Sequence, residues 1–440
     1  MSENHNLSGN GTNQSWQKRR EEAVAGGVST LLPAFIQKAR NAELWDIEGN
    51  RYIDFAAGIA VLNTGHNHPK VIAAVQEQLT RFTHPCFQVT PYPEYVELAE
   101  RLNALVPIKE ATQTLLLTTG AEAVENAVKV ARIATGRGGV IAFRGGFHGR
   151  TLMGMALTGK VAPYKQGYGP FPSGIYHAPY PAPYLGITEQ HALDALDAIF
   201  AADIAPTEVA AIIIEPVQGE GGFYAAPAGF LKSLREICDR HGIVLIADEI
   251  QSGFCRTGKT FAIEHTGVEP DLVTMAKSLA GGFPLSALVG KKRLMEKALP
   301  GGLGGTYAGS PVAIAAALAV TDLIKDEQLN QKAQQVGEQI TRELHALAER
   351  FDCIGDIRAV GAMVAMELVE NRDATKPNKA LTSALVKEAG QQGLILLSCG
   401  VRGNVIRFLA PLTAEKEVIK EGMEKLAAAL SVVAKKVQNA

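Results

Sequence analysis

The chain has 440 residues, which is long for one hydrophobic core and fits two or three domains. Hydrophobic residues make up 47% and charged residues 20%, and the formal net charge of −2 gives no basic excess for binding nucleic acid. Five widely spaced cysteines without a Cys-x-x-Cys pair predict neither a disulfide framework nor a zinc site.

The N-terminal segment is polar, and residues 1–16 are predicted to be a disordered tail because they are poor in hydrophobic residues. It lacks the apolar core of a signal peptide, and no apolar run in the chain is long enough to span a membrane. We therefore expect a cytoplasmic protein. Residues 17–68 are predicted to begin a small domain with short strands. His66 and His68 have the spacing of a metal pair, but no third ligand lies nearby, so no metal site is predicted.

A predicted strand over residues 114–119 runs directly into Gly120 and Ala121, and a predicted helix follows over residues 124–134. A glycine turn at a helix N-terminus offers free N–H groups and the positive end of the helix dipole. This arrangement favours a phosphate site at Gly120 and Ala121, although an ordinary connection between strand and helix would also use glycine.

The next predicted strand, residues 140–143, is followed by a loop that contains Phe147, His148 and Arg150 among glycines. An aromatic ring at a strand end can cover a flat cofactor, and an arginine can bind a carboxylate through two parallel hydrogen bonds. A flexible loop with a solvated arginine is the alternative. Residues 162–186 are rich in Pro, Tyr and Gly and are predicted to form a long ordered loop.

Two carboxylates, Glu215 and Glu220, follow the predicted strand over residues 210–215. Such a pair is typical of glycosidases, which need a sugar cleft lined with aromatic rings. Only 6% of the residues are aromatic, and this argues against a glycosidase.

Two apolar runs, residues 244–247 and 272–276, are predicted to be buried strands of a parallel sheet. Asp248 follows the first and Lys277 the second. Because ligands bind outside the carboxyl ends of such strands, both side chains should face one crevice. Desolvation lowers the pKa of a lysine, which suits an amine that attacks an aldehyde, and an aspartate can hold a proton on a pyridine nitrogen. Pyridoxal phosphate chemistry requires these two groups, although an aspartate at a sheet edge and a lysine at the surface are each common in proteins.

Residues 253–260 match the P-loop pattern letter for letter, which makes a nucleotide hydrolase the alternative from another class. A P-loop leaves its strand directly and opens a long helix. Here residues 248–252 intervene, and Thr266-Gly267 ends the following helix early. The pattern therefore favours a glycine-rich connection.

The remaining chain predicts a large domain over residues 69–335 and a C-terminal part of the small domain over residues 336–440. A long predicted helix, residues 329–350, leads from one to the other. Beyond it, helices and strands alternate.

A set of motifs occurs in order along the chain, at residues 119–123, 147–150, 215–222, 247–253, 275–278 and 304–307. With these motifs the chain resembles the class III, fold-type I pyridoxal-phosphate aminotransferases from about Gln17 to its end. Further motifs lie at residues 58–66, 157–161 and 301–309. With these it most resembles, within that class, the bacterial 4-aminobutyrate aminotransferases. The resemblance implies an α/β fold, with a mixed, mostly parallel sheet flanked by helices and a smaller α/β domain.

The resemblance also implies roles for the matched residues in binding pyridoxal 5'-phosphate. Lys277 would bond the cofactor aldehyde and shuttle protons, and Asp248 would pair with the pyridine nitrogen. Gly120 and Ala121 would bind the phosphate through backbone N–H groups. The family often has serine where Ala121 stands, so only the backbone contact carries over.

The other implied cofactor contacts surround the ring. Phe147 would stack on one face beside His148, Ile250 would pack on the other face, and Gln251 would meet the phenolic oxygen. Thr306 would reach the phosphate of a neighbouring subunit, which implies a homodimer or a dimer of dimers with shared active sites.

The implied substrates are 4-aminobutyrate and 2-oxoglutarate. Arg150 would bind the distal carboxylate of the ω-amino acid, with Ile59 lining its path. Glu220 and Arg407 would form a switch that is closed for 4-aminobutyrate and open for the α-carboxylate of 2-oxoglutarate. An uncompensated arginine would leave a buried charge with the first substrate, and a swinging carboxylate resolves this. Other amino donors remain alternatives, namely 5-aminovalerate, ornithine, acetylornithine or a diamine. Aminomutase activity is a further alternative.

Overall fold

A computed structural model describes residues 11–438 of the chain, with side chains described up to residue 435. In the described part, the strands are β1 Ile36–Arg40, β2 Glu43–Asp46, β3 Arg51–Asp54, β4 Thr112–Leu117, β5 Gly139–Phe143, β6 Ile175–Ala178, β7 Val209–Ile214, β8 Val244–Asp248, β9 Leu272–Met275, β10 Ser286–Lys291, β11 Ile354–Val360, β12 Met363–Glu370, β13 Asp373–Pro377, β14 Leu394–Ile395, β15 Leu397–Cys399 and β16 Val405–Phe408. The α-helices are α1 Asn13–Ala23, α2 Ala57–Ala60, α3 Pro69–Leu79, α4 Pro93–Leu105, α5 Gly120–Thr135, α6 Leu152–Leu157, α7 Glu189–Ala202, α8 Ala228–His241, α9 Lys292–Met295, α10 Pro311–Asp326, α11 Leu329–Ala348, α12 Lys379–Gln391 and α13 Lys416–Gln438.

A seven-stranded sheet forms the centre of the molecule, in the order β4-β10-β9-β8-β7-β5-β6. Strand β10 runs antiparallel to both of its neighbours, and the other pairs are parallel. The central strands β5, β7, β8 and β9 are buried along their whole length, as continuous apolar runs predict. The predicted α/β fold with a mixed, mostly parallel sheet is confirmed.

The topology brings many chain segments to one edge of this sheet. The carboxyl ends of β4, β5, β7, β8 and β9 lie there because their order and direction match. Since β10 is antiparallel, its first residue, Ser286, pairs with Leu117 at the end of β4. The segment before β10 therefore joins the same edge, which is where ligands bind in open α/β sheets.

Two smaller sheets lie outside the central one, with orders β1-β2-β3-β14 and β11-β12-β16-β15, and β13 pairs with β12. Strand β14 is parallel to β3, with Leu394 beside Ile53. This pairing joins the N-terminal segment to the C-terminal one. The domain boundaries stay predictions, and the one between residues 335 and 336 falls inside helix α11.

The loop after β8 ties these parts together through Arg256, which is completely buried. Its guanidinium donates to the side-chain oxygen of Asn63 (3.0 Å from Nε) and to the carbonyls of Ala362 (3.3 Å) and Ala410 (2.7 Å). Burial without a carboxylate partner lowers the pKa of Arg256 to about 9. The described acceptors are all neutral oxygens from the N-terminal and C-terminal segments.

The same loop contains the P-loop pattern, but its geometry is different. It folds as a series of turns, in which Phe254 and Cys255 have φ values of 52° and 73°. Only a short 3-10 helix, Ala262–Thr266, follows, and Lys259 is exposed. A long helix whose N-terminus could receive a phosphate does not leave this loop.

Two sequence predictions are corrected by the structure. Helix α1 begins at Asn13, so residues 13–16 of the predicted disordered tail are helical, while residues 1–10 lie outside the described residues. The helix is polar and buries no residue, so hydrophobicity gave no signal. Thr12 caps it, and the side chain of Asn13 donates to Asp46 (2.8 Å).

The second correction concerns residues 162–186, which were predicted to be a loop. They contain β6, which pairs in parallel with β5 at the border of the central sheet. Three of its four residues are only partly buried, so the apolar run typical of a central strand is absent.

Among the described residues, no helix is both long and apolar enough to cross a membrane.

Candidate active site

A cavity of about 370 Å³ opens at the carboxyl edge of the central sheet. Its walls come from the segments after β4, β5, β7, β8 and β9 and from the segment before β10. Nine of the residues to which the resemblance gives a site role line it: Gly120, Ala121, Phe147, His148, Glu220, Asp248, Ile250, Gln251 and Lys277. The structure therefore brings motifs that lie beside more than half of the strands of the central sheet into one cavity.

Lys277 follows β9 and has a φ of 42°, a left-handed conformation that is unfavourable for a residue with a side chain. Its side chain lines the cavity, and burial lowers the pKa of Lys277 to about 8. The negative charge of Glu220 opposes this shift. A substantial fraction of the amine is therefore neutral near pH 8, as a nucleophile toward an aldehyde must be.

Asp248 ends β8 and is almost fully buried. Its carboxylate accepts hydrogen bonds from His148 Nδ1 (2.7 Å), Thr274 Oγ1 (3.1 Å) and the backbone N–H of Ile250 (3.1 Å). Burial lowers the pKa of His148, but the hydrogen bond and charge of Asp248 outweigh it and the net shift is upward. These contacts fix the Asp248 carboxylate at the cavity wall.

Glu215 is the first residue after β7 and joins two loops of the site. Its Oε1 accepts from the N–H of Phe147 (2.8 Å), and its Oε2 accepts from the N–H of Gly219 (3.0 Å). Burial raises the pKa of Glu215 to about 7. One carboxylate thus holds the loop that carries Phe147 and the loop that carries Glu220. The sequence suggested only a glycosidase role for this residue, and the backbone contacts had no local signal.

Glu220 forms an ion pair with Arg407 of β16, with 2.5 Å between Oε1 and Nη1. The Arg407 side chain is 5% exposed and that of Glu220 18%. Burial opposes charge on both groups, yet the net effect of the pair is to raise the pKa of Arg407 and lower that of Glu220. Nε of Arg407 is buried with no hydrogen-bond partner among the described residues, so it can take a second acceptor.

The N-terminus of α5 forms another wall. A capping box closes it: Thr119 Oγ1 accepts from Glu122 N (3.3 Å), and Glu122 Oε2 accepts from Thr119 N (2.7 Å). The hydrogen bonds described leave the N–H groups of Gly120 and Ala121 available. A Cβ on Gly120 would approach the Ile250 side chain to 3.0 Å, so glycine allows close packing here.

Four predicted site residues do not line the cavity. Arg407 reaches it through Glu220. Arg150 is exposed, and its guanidinium carbon lies 5.5 Å from the centroid of the Tyr164 ring. Ile59 is 44% exposed, with a φ of 66°, and Thr306 is exposed on a glycine-rich loop. The single chain therefore does not bring Ile59 and Thr306 to its own cavity.

The donor set of the cavity fits pyridoxal phosphate. It offers a largely desolvated amine for the aldehyde, a hydrogen-bonded carboxylate for the pyridine nitrogen and free N–H groups for the phosphate. In addition, Oε1 of Gln251 is buried with no hydrogen-bond partner among the described residues. An amide that can be turned by 180° would there present either its oxygen or its NH₂ group to a ring substituent.

Comparisons with known proteins agree with this geometry. The family model described as aminotransferase class-III matches residues 24–430. The chain is 54% identical over 412 residues to the 5-aminovalerate aminotransferase DavT of Pseudomonas putida, covering 94% of this chain and 97% of the relative. It is 53% identical over 413 residues to the 4-aminobutyrate aminotransferase GabT of Escherichia coli, again covering 94% and 97%.

Solved structures give the same result for the fold. An ornithine aminotransferase from Toxoplasma gondii superposes with a TM-score of 0.85 at 29% identity, covering 97% of this chain and 96% of that one. A PLP-bound amine transaminase from an uncultivated Pseudomonas species superposes with a TM-score of 0.83 at 31% identity, covering 93% and 97%.

Proposed function

Since this chain belongs to the class III aminotransferases and its cofactor is pyridoxal 5'-phosphate, we propose that it transfers the amino group of 4-aminobutyrate to 2-oxoglutarate. The products are succinate semialdehyde and glutamate. The observation that carries this proposal is the ion pair between Glu220 and Arg407 at the cavity.

One site must accept two substrates that differ beside the reacting carbon. 4-Aminobutyrate has no carboxylate there, whereas 2-oxoglutarate and glutamate have one. With the first substrate, Glu220 neutralises Arg407, and no buried charge is left unpaired. With the second, Glu220 swings away and Arg407 binds the α-carboxylate. The partial exposure of Glu220 and the free Nε of Arg407 support this exchange.

The distal carboxylate is common to both substrates, and we assign it to Arg150. Its exposed guanidinium forms no ion pair among the described residues, so it is available to a carboxylate. Ile59 would line the path. An arginine here favours an ω-amino acid over a plain diamine.

When bound, pyridoxal phosphate supplies an aldehyde that accepts the amino group and a ring that withdraws electrons. Lys277 would hold the aldehyde carbon and move the proton between substrate and cofactor. Asp248, fixed by His148, would keep the proton on the pyridine nitrogen. The N–H groups of Gly120 and Ala121 would bind the phosphate.

Three further side chains would fix the orientation of the ring. Phe147 would cover one face, Ile250 would pack on the other, and Gln251 would meet the phenolic oxygen. All three line the cavity.

We further propose that the enzyme works as a homodimer, alone or as a dimer of dimers. Thr306 lies exposed outside the cavity of its own chain, as a residue that serves the phosphate site of a partner would. Large apolar side chains are exposed near this loop, including Leu299 at 75% and Tyr307 at 68%. A partner chain would cover them. The cytoplasmic location stays a prediction.

5-Aminovalerate is the second candidate donor, because a relative that is 54% identical carries that substrate in its name. It has the same terminal amine and distal carboxylate with one more methylene group. Glu220, Arg407 and Arg150 would serve it in the same way.

The test has two parts. Borohydride reduction of the holoenzyme should bleach the cofactor absorbance and leave a pyridoxyl mass on the peptide that contains Lys277. Then kcat/KM should be measured for 4-aminobutyrate, 5-aminovalerate, ornithine and putrescine with 2-oxoglutarate. We expect 4-aminobutyrate to lead and putrescine to be poorest. Turnover of ornithine or putrescine above both ω-amino acids would refute the substrate assignment.

A further inference from the structure

The segment between α6 and β6 carries Tyr164, a partly buried residue that contacts the cavity wall through Phe147. Its ring meets the ring of Phe147 edge-on, with 5.1 Å between centroids. The guanidinium carbon of Arg150 lies over the Tyr164 ring, 5.5 Å from its centroid. Tyr164 therefore joins the residue assigned to the cofactor ring and the residue assigned to the distal carboxylate.

The charges of both arginines that the proposed function assigns to carboxylates act on the Tyr164 hydroxyl. Burial raises its pKa, the charge of Glu220 raises it further, and the charges of Arg150 and Arg407 lower it. The hydroxyl thus stays protonated at neutral pH. The hydroxyl feels the charges of the Glu220–Arg407 pair, which is assigned to the reacting end of the substrate. It also feels the charge of Arg150, which is assigned to the distal carboxylate.

Arg150 needs such a neighbour. Its long side chain is exposed and forms no ion pair within the part of the chain that the structure describes. The rotamer freedom of an unrestrained arginine would let the guanidinium sample many positions. An aromatic face holds a guanidinium by a cation–π contact, which limits that freedom while leaving its N–H donors free for a carboxylate.

We propose that Tyr164 is the positioning residue that sets the donor chain length, because it fixes the Arg150 guanidinium relative to Lys277. The proposal rests on the proposed function and deepens it. The distance between the reacting amine and the distal carboxylate distinguishes 4-aminobutyrate from 5-aminovalerate, which differ by one methylene group. A fixed guanidinium selects one length, and a mobile one accepts both.

The experiment compares three variants of the full-length holoenzyme. Tyr164→Leu removes the aromatic face, Tyr164→Phe keeps it and removes only the hydroxyl, and Tyr168→Leu removes an exposed ring of the same segment as a matched control. Single-turnover kinetics with each donor give a dissociation constant and a limiting rate. Spectral titration with butanoate and pentanoate, which lack the amine, gives binding without turnover.

We expect Tyr164→Leu to change the ratio of the 4-aminobutyrate and 5-aminovalerate dissociation constants toward one, by about 2- to 5-fold, the size of a cation–π contact at a partly exposed site. The limiting rates should change less. Butanoate and pentanoate should show the same trend. Tyr164→Phe and Tyr168→Leu should keep the ratio of the wild type.

Two results would overturn the proposal. If Tyr164→Leu lowers the limiting rates of both donors equally at an unchanged ratio, Tyr164 acts only through Phe147. If Tyr168→Leu changes the ratio as much, the effect belongs to the segment and not to this ring. A wild type that turns over neither donor refutes the proposed function and this inference together. Loss of the Tyr164 effect alone, with both donors active, refutes only the inference.

Discussion

The floor of the cavity and its mouth are built in different ways. The floor consists of His148, Glu215, Asp248 and Lys277, which end or follow strands of the central sheet and lie buried or partly buried in a network of hydrogen bonds and charges. The group that we call the mouth consists of Arg150 and Tyr164, which lie outside the strands and reach the cavity wall through Phe147.

The side chains of the mouth are much less constrained. Arg150 is exposed, Tyr164 is partly buried, and the contact described for Arg150 is a single aromatic ring. A buried network tolerates few positions, whereas an exposed side chain can move or change at low cost. We therefore propose that the floor determines the type of reaction and that the mouth determines which donor is chosen.

Breaking the floor at Lys277 should have the largest effect. We expect Lys277→Ala to abolish transamination, since proton transfer by a positioned group alone accounts for about 10²–10⁴-fold in rate. The variant should still bind pyridoxal phosphate without a covalent bond, because Asp248 and the N-terminus of α5 remain. Absorbance spectra, intact mass and product assays check this. Substantial residual turnover would show that the lysine is wrongly assigned.

The Glu220–Arg407 pair reaches the cavity through Glu220, and its loss should affect the two amino donors differently. Glu220→Ala leaves Arg407 unpaired with 4-aminobutyrate, which costs on the order of 3–5 kcal/mol in a buried site and less where water enters. Since Glu220 is 18% exposed, the lower end applies, and about 1.36 kcal/mol is tenfold in rate. Glutamate brings its own α-carboxylate and should lose little.

Single-turnover conversion of the cofactor with each donor measures this difference. Arg150→Ala is the matched control, because it should weaken both donors, each of which has a distal carboxylate. If Glu220→Ala slowed the conversion by both donors equally, the proposed Glu220–Arg407 switch would be refuted, and with it the preference for an ω-amino acid.

A smaller effect is expected at Glu215, which links the two loops of the floor. In Glu215→Gln, the NH₂ group cannot accept the N–H of Phe147 or Gly219, so one hydrogen bond of about 0.5–1.5 kcal/mol is lost. Both half-reactions should slow alike, by about tenfold at most. A loss confined to one donor would contradict a shared role for the two loops.

The Glu215→Gln variant also tests the ionisation of the buried Glu215 carboxyl, through the pH dependence of stability. Burial raises the pKa of Glu215 from 4.5 to about 7, so the native state keeps a proton that the unfolded chain has lost. Its contribution to the free energy of unfolding is therefore present below pH 4.5 and lost as the pH rises through 7. Urea unfolding of the wild type should show this decline, and Glu215→Gln should show less of it. Parallel pH profiles would refute the assigned ionisation.

The smallest effect is expected at Lys259, in the P-loop pattern. The side chain is exposed and remote from both floor and mouth, so Lys259→Ala should change stability by no more than about 0.5 kcal/mol and leave transamination intact. The wild type should not hydrolyse ATP or GTP. Nucleotide hydrolysis that disappears in this variant would restore the alternative function.

The two regions also differ in how far the sequence predicts them. Asp248 and Lys277 follow continuous apolar runs that form buried parallel strands, and the end of such a strand has a known direction. Physical reasoning on the chain therefore places both in one crevice, where the structure has them. Glu220 and Arg407 are 187 residues apart and carry no common pattern, so only the resemblance to a family paired them.

Tyr164, Glu215 and α1 show what sequence patterns miss. Tyr164 lies in a Pro- and Gly-rich segment without periodicity, and its two partners are both on the loop after β5. The contacts of Glu215 are with backbone groups, which any sequence offers. Helix α1 is stabilised by a cap and by polar side chains, so a prediction from hydrophobicity assigns it to the tail.

Arg256 has a consequence for how the chain folds and unfolds. Its acceptors come from Asn63, 193 residues earlier, and from Ala410, 154 residues later. Until both segments have arrived, the guanidinium lacks the oxygens that replace its water, and burying it alone would be costly. We therefore expect Arg256 to be buried late in folding, after the N-terminal and C-terminal segments have come together, since contacts between distant segments form slowly. In the folded protein, neither the N-terminal nor the C-terminal segment can detach without leaving the Arg256 guanidinium without its acceptors. The whole chain should therefore unfold in a single cooperative transition.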